Sequence, residues 1–256
     1  MSIYYSNYKE SSPSPTFCSL LSHKLPFLMA SGPFPHYNHC LFFCELHSSL
    51  QRVDMTMKND KAWIGDLLGG PLMSRESRII AELMLTAPDE QTWQEQIVGH
   101  NILQASSANT AKRYATTIKL RLNTLDKAAW SLIAEGSERE RQQLLFVALV
   151  LHSPVVKDFL AEVVNDLRRQ FKEKLPIDSW DEFVTSHLRQ QPVLTSYSDS
   201  SIKKMGNNLI KALAEAGYLD TPRRRNLQSV FLLPETQATL QRLGQQELVS
   251  ILEGQR

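Results

Sequence analysis

A chain of 256 residues with 42% hydrophobic and 21% charged content has the make-up of a folded globular protein, one sizeable domain or two small ones, and disorder throughout is excluded. The formal net charge of +1 gives the whole molecule no field that attracts a polyanion, so such a partner must be recognised by local charge. The longest apolar run, Leu144 to Leu151, is far shorter than the about 20 helical residues a bilayer requires, which implies a buried helix and no membrane partner.

All three cysteines (Cys18, Cys40, Cys44) and four of the seven histidines (His23, His36, His39, His47) precede residue 50, among prolines, serines and tyrosines without helical or strand periodicity. Three readings of this stretch compete: a secretory signal, a small metal site, or sequence upstream of the true start. The apolar run after Lys24 lies late and is broken by Pro26, against a signal. His39-Cys40 and Cys44/His47 lack a Cys-x-x-Cys or His-x-x-x-His knuckle, against zinc. Met55 and Met57 stand just before regular patterning begins, so residues 1–56 are expected to be a disordered leader or an over-extended start. Past it the chain holds no cysteine, which fits a reducing, cytoplasmic location.

Ser74 is placed to cap a first helix carrying Ile79, Ile80, Leu83 and Met84, closed by Pro88. Asp89 opens a second with Trp93 and Ile97 in the core, and Ser107 a third that buries Ala111, Tyr114, Ile118, Leu122 and Leu125. Gly136 ends a helix bearing Trp130 and Ile133, and Ser137 with Glu140 forms a capping box for the next. Ser153-Pro154 starts a long helix whose apolar positions run from Val156 through Phe159, Leu160, Val163 and Leu167 to Phe171, with Pro176 as its stop. Beyond it come a helix over about 178–190, a polar stretch from Thr195, and a helix over Ile202, Met205, Leu209, Leu213 and Ala216 that Gly217 ends. A turn at Pro222 to Asn226 and a strand-like Leu227 to Leu233 follow before Pro234 restarts a helix. Helix, short connection, helix, basic hairpin and helix is the order of a winged helix-turn-helix. The expected architecture is therefore all-α with a small β-hairpin: a helical bundle over 57–176, then a winged-helix-like module over 177–256.

Two helix starts 91 positions apart share the pattern Ser-x-x-hydroxyl-x-basic-basic: Ser107, Thr110, Lys112 and Arg113, and Ser198, Ser201, Lys203 and Lys204. Hydroxyls and free N–H groups at a helix N-terminus favour phosphate, and two cations one turn inside strengthen that preference. Both starts are equally read as ordinary capped helices with solvated lysines. Charge tips the balance toward nucleic acid: Lys112, Arg113, Lys119 and Arg121 have no acidic neighbour on their helix. Lys204, Asn207, Asn208 and Lys211 fall at i, i+3, i+4 and i+7, where lysine and asparagine can reach phosphates and bases. Arg223, Arg224 and Arg225 at the turn add a backbone or minor-groove contact.

Catalytic patterns are missing. Gly69-Gly70 lacks a following Gly-Lys-Ser/Thr, and His100, His152 and His187 are dispersed, with no His-Glu-x-x-His or Gly-x-Ser-x-Gly pattern. Asp178, Asp181, Glu182 and Glu76 are explained as acids in first helical turns. The expectation is a non-enzymatic protein without cofactor or metal.

Gly69-Gly70-Pro71-Leu72 leading to Glu76-Ser77-Arg78-Ile79-Ile80-Ala81, then Asn101-Ile102-Leu103-Gln104 with Thr110-Ala111-Lys112-Arg113, then the 201–219 helix, together resemble the BrxA-type small proteins of BREX (bacteriophage exclusion) systems. The resemblance spreads over most of residues 60–250. It implies a helical core similar to the antitermination factor NusB, DNA binding, and other BREX proteins as partners; contacts from the cations above to phosphates would make binding to double-stranded DNA low in sequence specificity. A helical scaffold that bridges those proteins without touching DNA is the alternative. Residues 1–56 depart from the family pattern. A chain beginning at Met57 is expected to keep the helicity and melting temperature of the full chain; circular dichroism melts of both check this, and a midpoint several degrees lower for the short form refutes it.

Overall fold

The computed structural model describes residues 63–254, which are helical with irregular connections; the leader expected at 1–56 lies outside them. Helix α1 (Ser74–Leu85) begins after Met73, which at φ 52 is left-handed. Ser74, expected as the cap, is the first helical residue instead, and its hydroxyl donates to Glu138 Oε1 at 2.8 Å. Ser153 likewise makes no side-chain cap bond ahead of Pro154, whereas the caps expected at Asp89, Ser107 and Ser137 form. Asp89 accepts the Thr92 N–H at 2.7 Å ahead of α2 (Glu90–Gln94), which continues as a π-helical turn (Glu95–Gly99) and buries Trp93 and Ile97. Ser107 caps α3 (Ala108–Leu122), Asp126 caps α4 (Lys127–Glu135), and the Ser137/Glu140 box opens α5 (Glu138–His152). Every residue from Leu144 to Val150 is buried, so α5 is the central helix of the core.

At Ser153-Pro154 the chain bends by 109° into α6, which runs from Pro154 to Arg169 with a π-helical turn at Leu160–Val164. The bend is packed against Gly65, at φ +60, where an added Cβ would lie 2.2 Å from Ser153 Oγ. Sequence periodicity carries α6 on to a buried Phe171; the structure ends it at Arg169 and leaves Phe171 93% exposed. The Phe171 N–H bonds to the Arg168 carbonyl and the Lys172 N–H to the Leu167 carbonyl, with Phe171 at φ 57. That is the Schellman closure, with phenylalanine where glycine usually stands.

Helix α7 (Ser179–His187), a 3₁₀ turn (Pro192–Ser196), α8 (Asp199–Glu215), α9 (Pro234–Arg242) and α10 (Glu247–Glu253) complete the described residues. The β-hairpin, and with it the wing, does not form. Among the described residues only two isolated antiparallel bridges occur, Lys174 with Asn226 and Leu219 with Leu227. An extended chain must satisfy its backbone groups somewhere: the Leu227 and Gln228 N–H groups reach the Glu173 and Tyr218 carbonyls, and at 231–233 helical side chains serve in place of a partner strand. Glu253 accepts the Leu232 N–H at 2.9 Å, and Gln143, buried in α5, accepts the Leu233 N–H at 2.8 Å while donating to the Phe231 carbonyl at 2.9 Å.

One apolar cluster joins Trp63 to Leu252 through all these helices. Trp63, Phe159, Trp180, Phe183 and His187 stack or meet edge-on within it. Its polar keystone is Arg121 of α3, whose side chain is only 5% exposed. The guanidinium Nε bonds Asp66 Oδ1 at 3.0 Å, and Nη2 donates to the Gly70 carbonyl at 2.8 Å while Nη1 donates to that of Pro71. Burial pushes Arg121 below the usual guanidinium range, and the Asp66 charge opposes the shift. Asn208 of α8, also buried, donates to the Leu67 carbonyl of the same segment at 2.9 Å. Residues 66–72 are thus the piece on which α3 and α8 both close. Replacing Arg121→Met is expected to strip three interactions from this segment and leave Asp66 without its partner, lowering stability by about 3–5 kcal/mol; a urea midpoint unchanged from wild type would refute it.

Candidate nucleic-acid interface

The two similar helix starts are alike in three dimensions. Ser107 Oγ accepts the Thr110 N–H at 3.2 Å and lies 2.9 Å from Thr110 Oγ1; Ser198 Oγ accepts the Ser201 N–H at 3.3 Å and lies 3.0 Å from Ser201 Oγ. In both, the serine hydroxyl is engaged as a cap, which leaves the following basic pair as the outward chemistry. Lys112, Arg113, Lys203 and Lys204 are all exposed. The starts belong to different surroundings: α3 packs on α1, α5 and the π-helical turn after α2, whereas α8 packs on α7.

Residues of α8 and of the arginine turn come together. Lys203, Asn207 and Arg225 line one cleft of about 220 Å³, with Ile177 and Asp181 on its rim and Trp180 and Gly206 as its floor. The floor is tight because the indole lies against the backbone of α8: a Cβ on Gly206 would be 2.3 Å from Trp180 Cδ1, and Trp180 Nε1 donates to the Ile202 carbonyl at 2.9 Å. The turn itself is built by Asp220, whose Oδ1 accepts the N–H groups of Thr221 and Asn226 at 2.6 and 2.9 Å. Arg225, at φ 59, donates through Nη1 to the carbonyls of Pro176 and Ile177 at 3.1 and 3.0 Å. Arg223 and Arg224 remain exposed beside it.

Three residues credited to an open basic surface, Asn208, Arg121 and Lys119, are engaged elsewhere. Asn208 faces the core, since its spacing of three from Met205 and four from Ala212 puts it on the apolar side of α8. Arg121 is interior for the corresponding reason, three residues beyond Ile118 and four before Leu125; that spacing was the signal available in the sequence. Lys119 places its ammonium 4.1 Å from the ring centroid of buried Trp93, a cation–π contact. Lys211 is exposed but lies in the field of Glu215, whose carboxyl burial raises and the Leu72 N–H and the Lys211 charge draw back. Among the described residues no group of three or more His, Cys, Asp or Glu could hold a metal ion.

Residues 61–244 match the BrxA family profile. The chain belongs to the BrxA family. A protein named BREX protein BrxA from Escherichia coli O9:H4 (strain HS) is 86% identical over 200 residues, spanning 78% of this chain and 94% of that protein. A second BREX protein BrxA, from Paramagnetospirillum magneticum (strain ATCC 700264 / AMB-1), is 32% identical over 73% of this chain and 94% of its own length. A crystal structure of an uncharacterized protein from Magnetospirillum magneticum superposes with a TM-score of 0.69 at 30% identity, covering 75% of this chain and 99% of that one. The BrxA match takes in both helix starts, the cleft and the arginine turn.

Within this BrxA chain the adjacent asparagines Asn207 and Asn208 separate surface from core. Asn208→Ala leaves the Leu67 carbonyl without its donor and is expected to destabilise by about 1–3 kcal/mol. Asn207→Ala is expected to stay within about 0.5 kcal/mol of wild type. Urea denaturation of both variants decides it, equal midpoints being the contrary result.

Proposed function

We propose that the protein is a non-catalytic, DNA-binding component of a bacterial BREX system, with low sequence specificity. The observation that carries the reading is the meeting of Lys203, Asn207 and Arg225 around one cleft, with Arg223, Arg224 and Lys204 exposed beside it. Cations drawn from a helix and a turn onto one surface suit a phosphate backbone, and an asparagine among them suits a base edge. Membership of the BrxA family and the BREX naming of its relatives support the system and imply other BREX proteins as partners. Lys112 and Arg113, beyond the Ser107/Thr110 cap, form a second contact. Asn208 and Lys119 take no part in it, being committed to the Leu67 carbonyl and the Trp93 ring.

A scaffold that bridges BREX proteins without touching DNA is the second reading, which the BREX naming of the relatives fits equally.

Lys203→Glu/Lys204→Glu is expected to weaken duplex binding and to lower the log–log salt slope by about 0.9 unit per phosphate contact removed. The same reversal at Lys112 and Arg113 measures the second contact. Fluorescence anisotropy over a salt series, with folding checked by circular dichroism, provides the reading; unchanged affinity and slope in both double variants would leave the scaffold ahead.

A further inference from the structure

Phe171 and Ile177 have the greatest exposure of any large apolar side chains among the described residues, 93% and 84%. Neither is needed by the core, and Phe171 occupies a left-handed backbone position that a glycine would fill with less strain. Both stand on one tip, made from residues 168–178 and 220–228. The Lys174–Asn226 bridge, the Leu175 N–H to the Arg225 carbonyl at 3.0 Å, and the Arg225 guanidinium on the Pro176 and Ile177 carbonyls tie its two segments together.

Those segments carry seven cations (Arg168, Arg169, Lys172, Lys174, Arg223, Arg224, Arg225) against three carboxylates (Glu173, Asp178, Asp220). Asp220 is turned inward onto the N–H groups of its own turn. Phe171 lines a depression of about 680 Å³ with Arg168 and Lys172 beside the carboxylates Glu173 and Glu253, while Ile177 stands on the rim of the cleft shared by Lys203, Asn207, Arg225 and Asp181. A protein partner held by apolar contact needs a continuous apolar patch. Here there are two isolated side chains, each within reach of cations as well as carboxylates, on segments whose overall charge is positive.

Single apolar side chains beside phosphate-binding cations are the means by which proteins unstack bases: phenylalanine, leucine, isoleucine or methionine enters between base steps while lysine and arginine hold the backbone. We infer that Phe171 and Ile177 contact unstacked bases, so that the tip grips DNA where the duplex is unpaired or kinked. The inference rests on the DNA-binding reading above and adds the form of DNA preferred, since an unpaired base has already lost the stacking that an intact duplex must give up.

The test compares a perfect duplex with the same duplex carrying a two-nucleotide bulge, by fluorescence anisotropy with the full chain. Wild type is expected to bind the bulged duplex roughly tenfold more tightly. Phe171→Ala/Ile177→Ala should bring that ratio to near one while keeping the affinity for perfect duplex and its salt slope, because both side chains are solvent-exposed and every cation remains. Lys203→Glu/Lys204→Glu should weaken both duplexes together and keep the ratio. Equal binding of the two duplexes by wild type overturns the inference and leaves DNA binding standing, and so does a ratio that survives in the alanine double variant. Failure of wild type to bind either duplex at low salt overturns both. Unchanged DNA binding, with loss of a BREX protein from a pull-down by the alanine variant, reassigns the tip to protein docking.

Discussion

The fold closes around the buried guanidinium of Arg121. Arg121 carries its charge into the apolar cluster and is matched there by the Asp66 carboxylate and by the Gly70 and Pro71 carbonyls, all from a single short segment. An irregular segment in a core brings backbone carbonyls that no helix or sheet satisfies. A guanidinium, with five donors in a planar fork, is the side chain best able to satisfy several at once. Asn208 from α8 does the same for Leu67, and the Leu72 N–H is taken by Glu215 at 2.9 Å. Residues 66–72 thereby become a polar strut between α3 and α8, and the two helices that carry the basic pairs are indexed to the same few peptide groups.

Helix starts were legible in the sequence at most positions with a local signal, Ser74 and Ser153 being the exceptions. Asp89, Ser107 and Ser137 cap where their side chains and the following residues imply, because a cap is decided within four residues. The run from Leu144 was legible as a buried helix because it is apolar on every face. Signals that depend on distant chain were not legible. The residues from 227 to 233 have the composition of a strand, yet the N–H groups of Leu227 and Gln228 go to the carbonyls of Glu173 and Tyr218, and those of Leu232 and Leu233 to the side chains of Glu253 and Gln143. Phe171 continues the apolar spacing of α6, and only the Schellman closure, a three-dimensional event, turns it outward.

The candidate site divides in the same way. Exposure of Lys112, Arg113, Lys203, Lys204 and Asn207 follows from their helical registers. Placing Arg225 beside Lys203 required the fold, because it depends on Pro176 and Ile177 receiving the arginine turn. A run of three arginines also overstates the free charge at the turn: one of the three is tied to carbonyls and shapes the tip, which leaves two side chains free to reorient toward a polyanion. With a net charge of +1 over the whole chain, attraction at long range is weak, and recognition falls to the short distances at which such local arrangements act.

The bare backbone of Gly206 beneath Trp180 has a consequence for this surface beyond packing. An indole resting directly on a helix leaves no intervening side chain whose rotamers could alter the separation of α7 and α8, and its N–H bond to Ile202 fixes the ring in azimuth as well. Lys203 and Asn207, borne on that stretch of helix, are held at a set height above the ring, so the spacing between their anchor points and the arginine turn is inherited from the thickness of an aromatic plane. A surface built this way is a gauge cut before use: the backbone under its cations has little freedom left to surrender when a ligand arrives, so the conformational cost of docking falls on the lysine and arginine side chains.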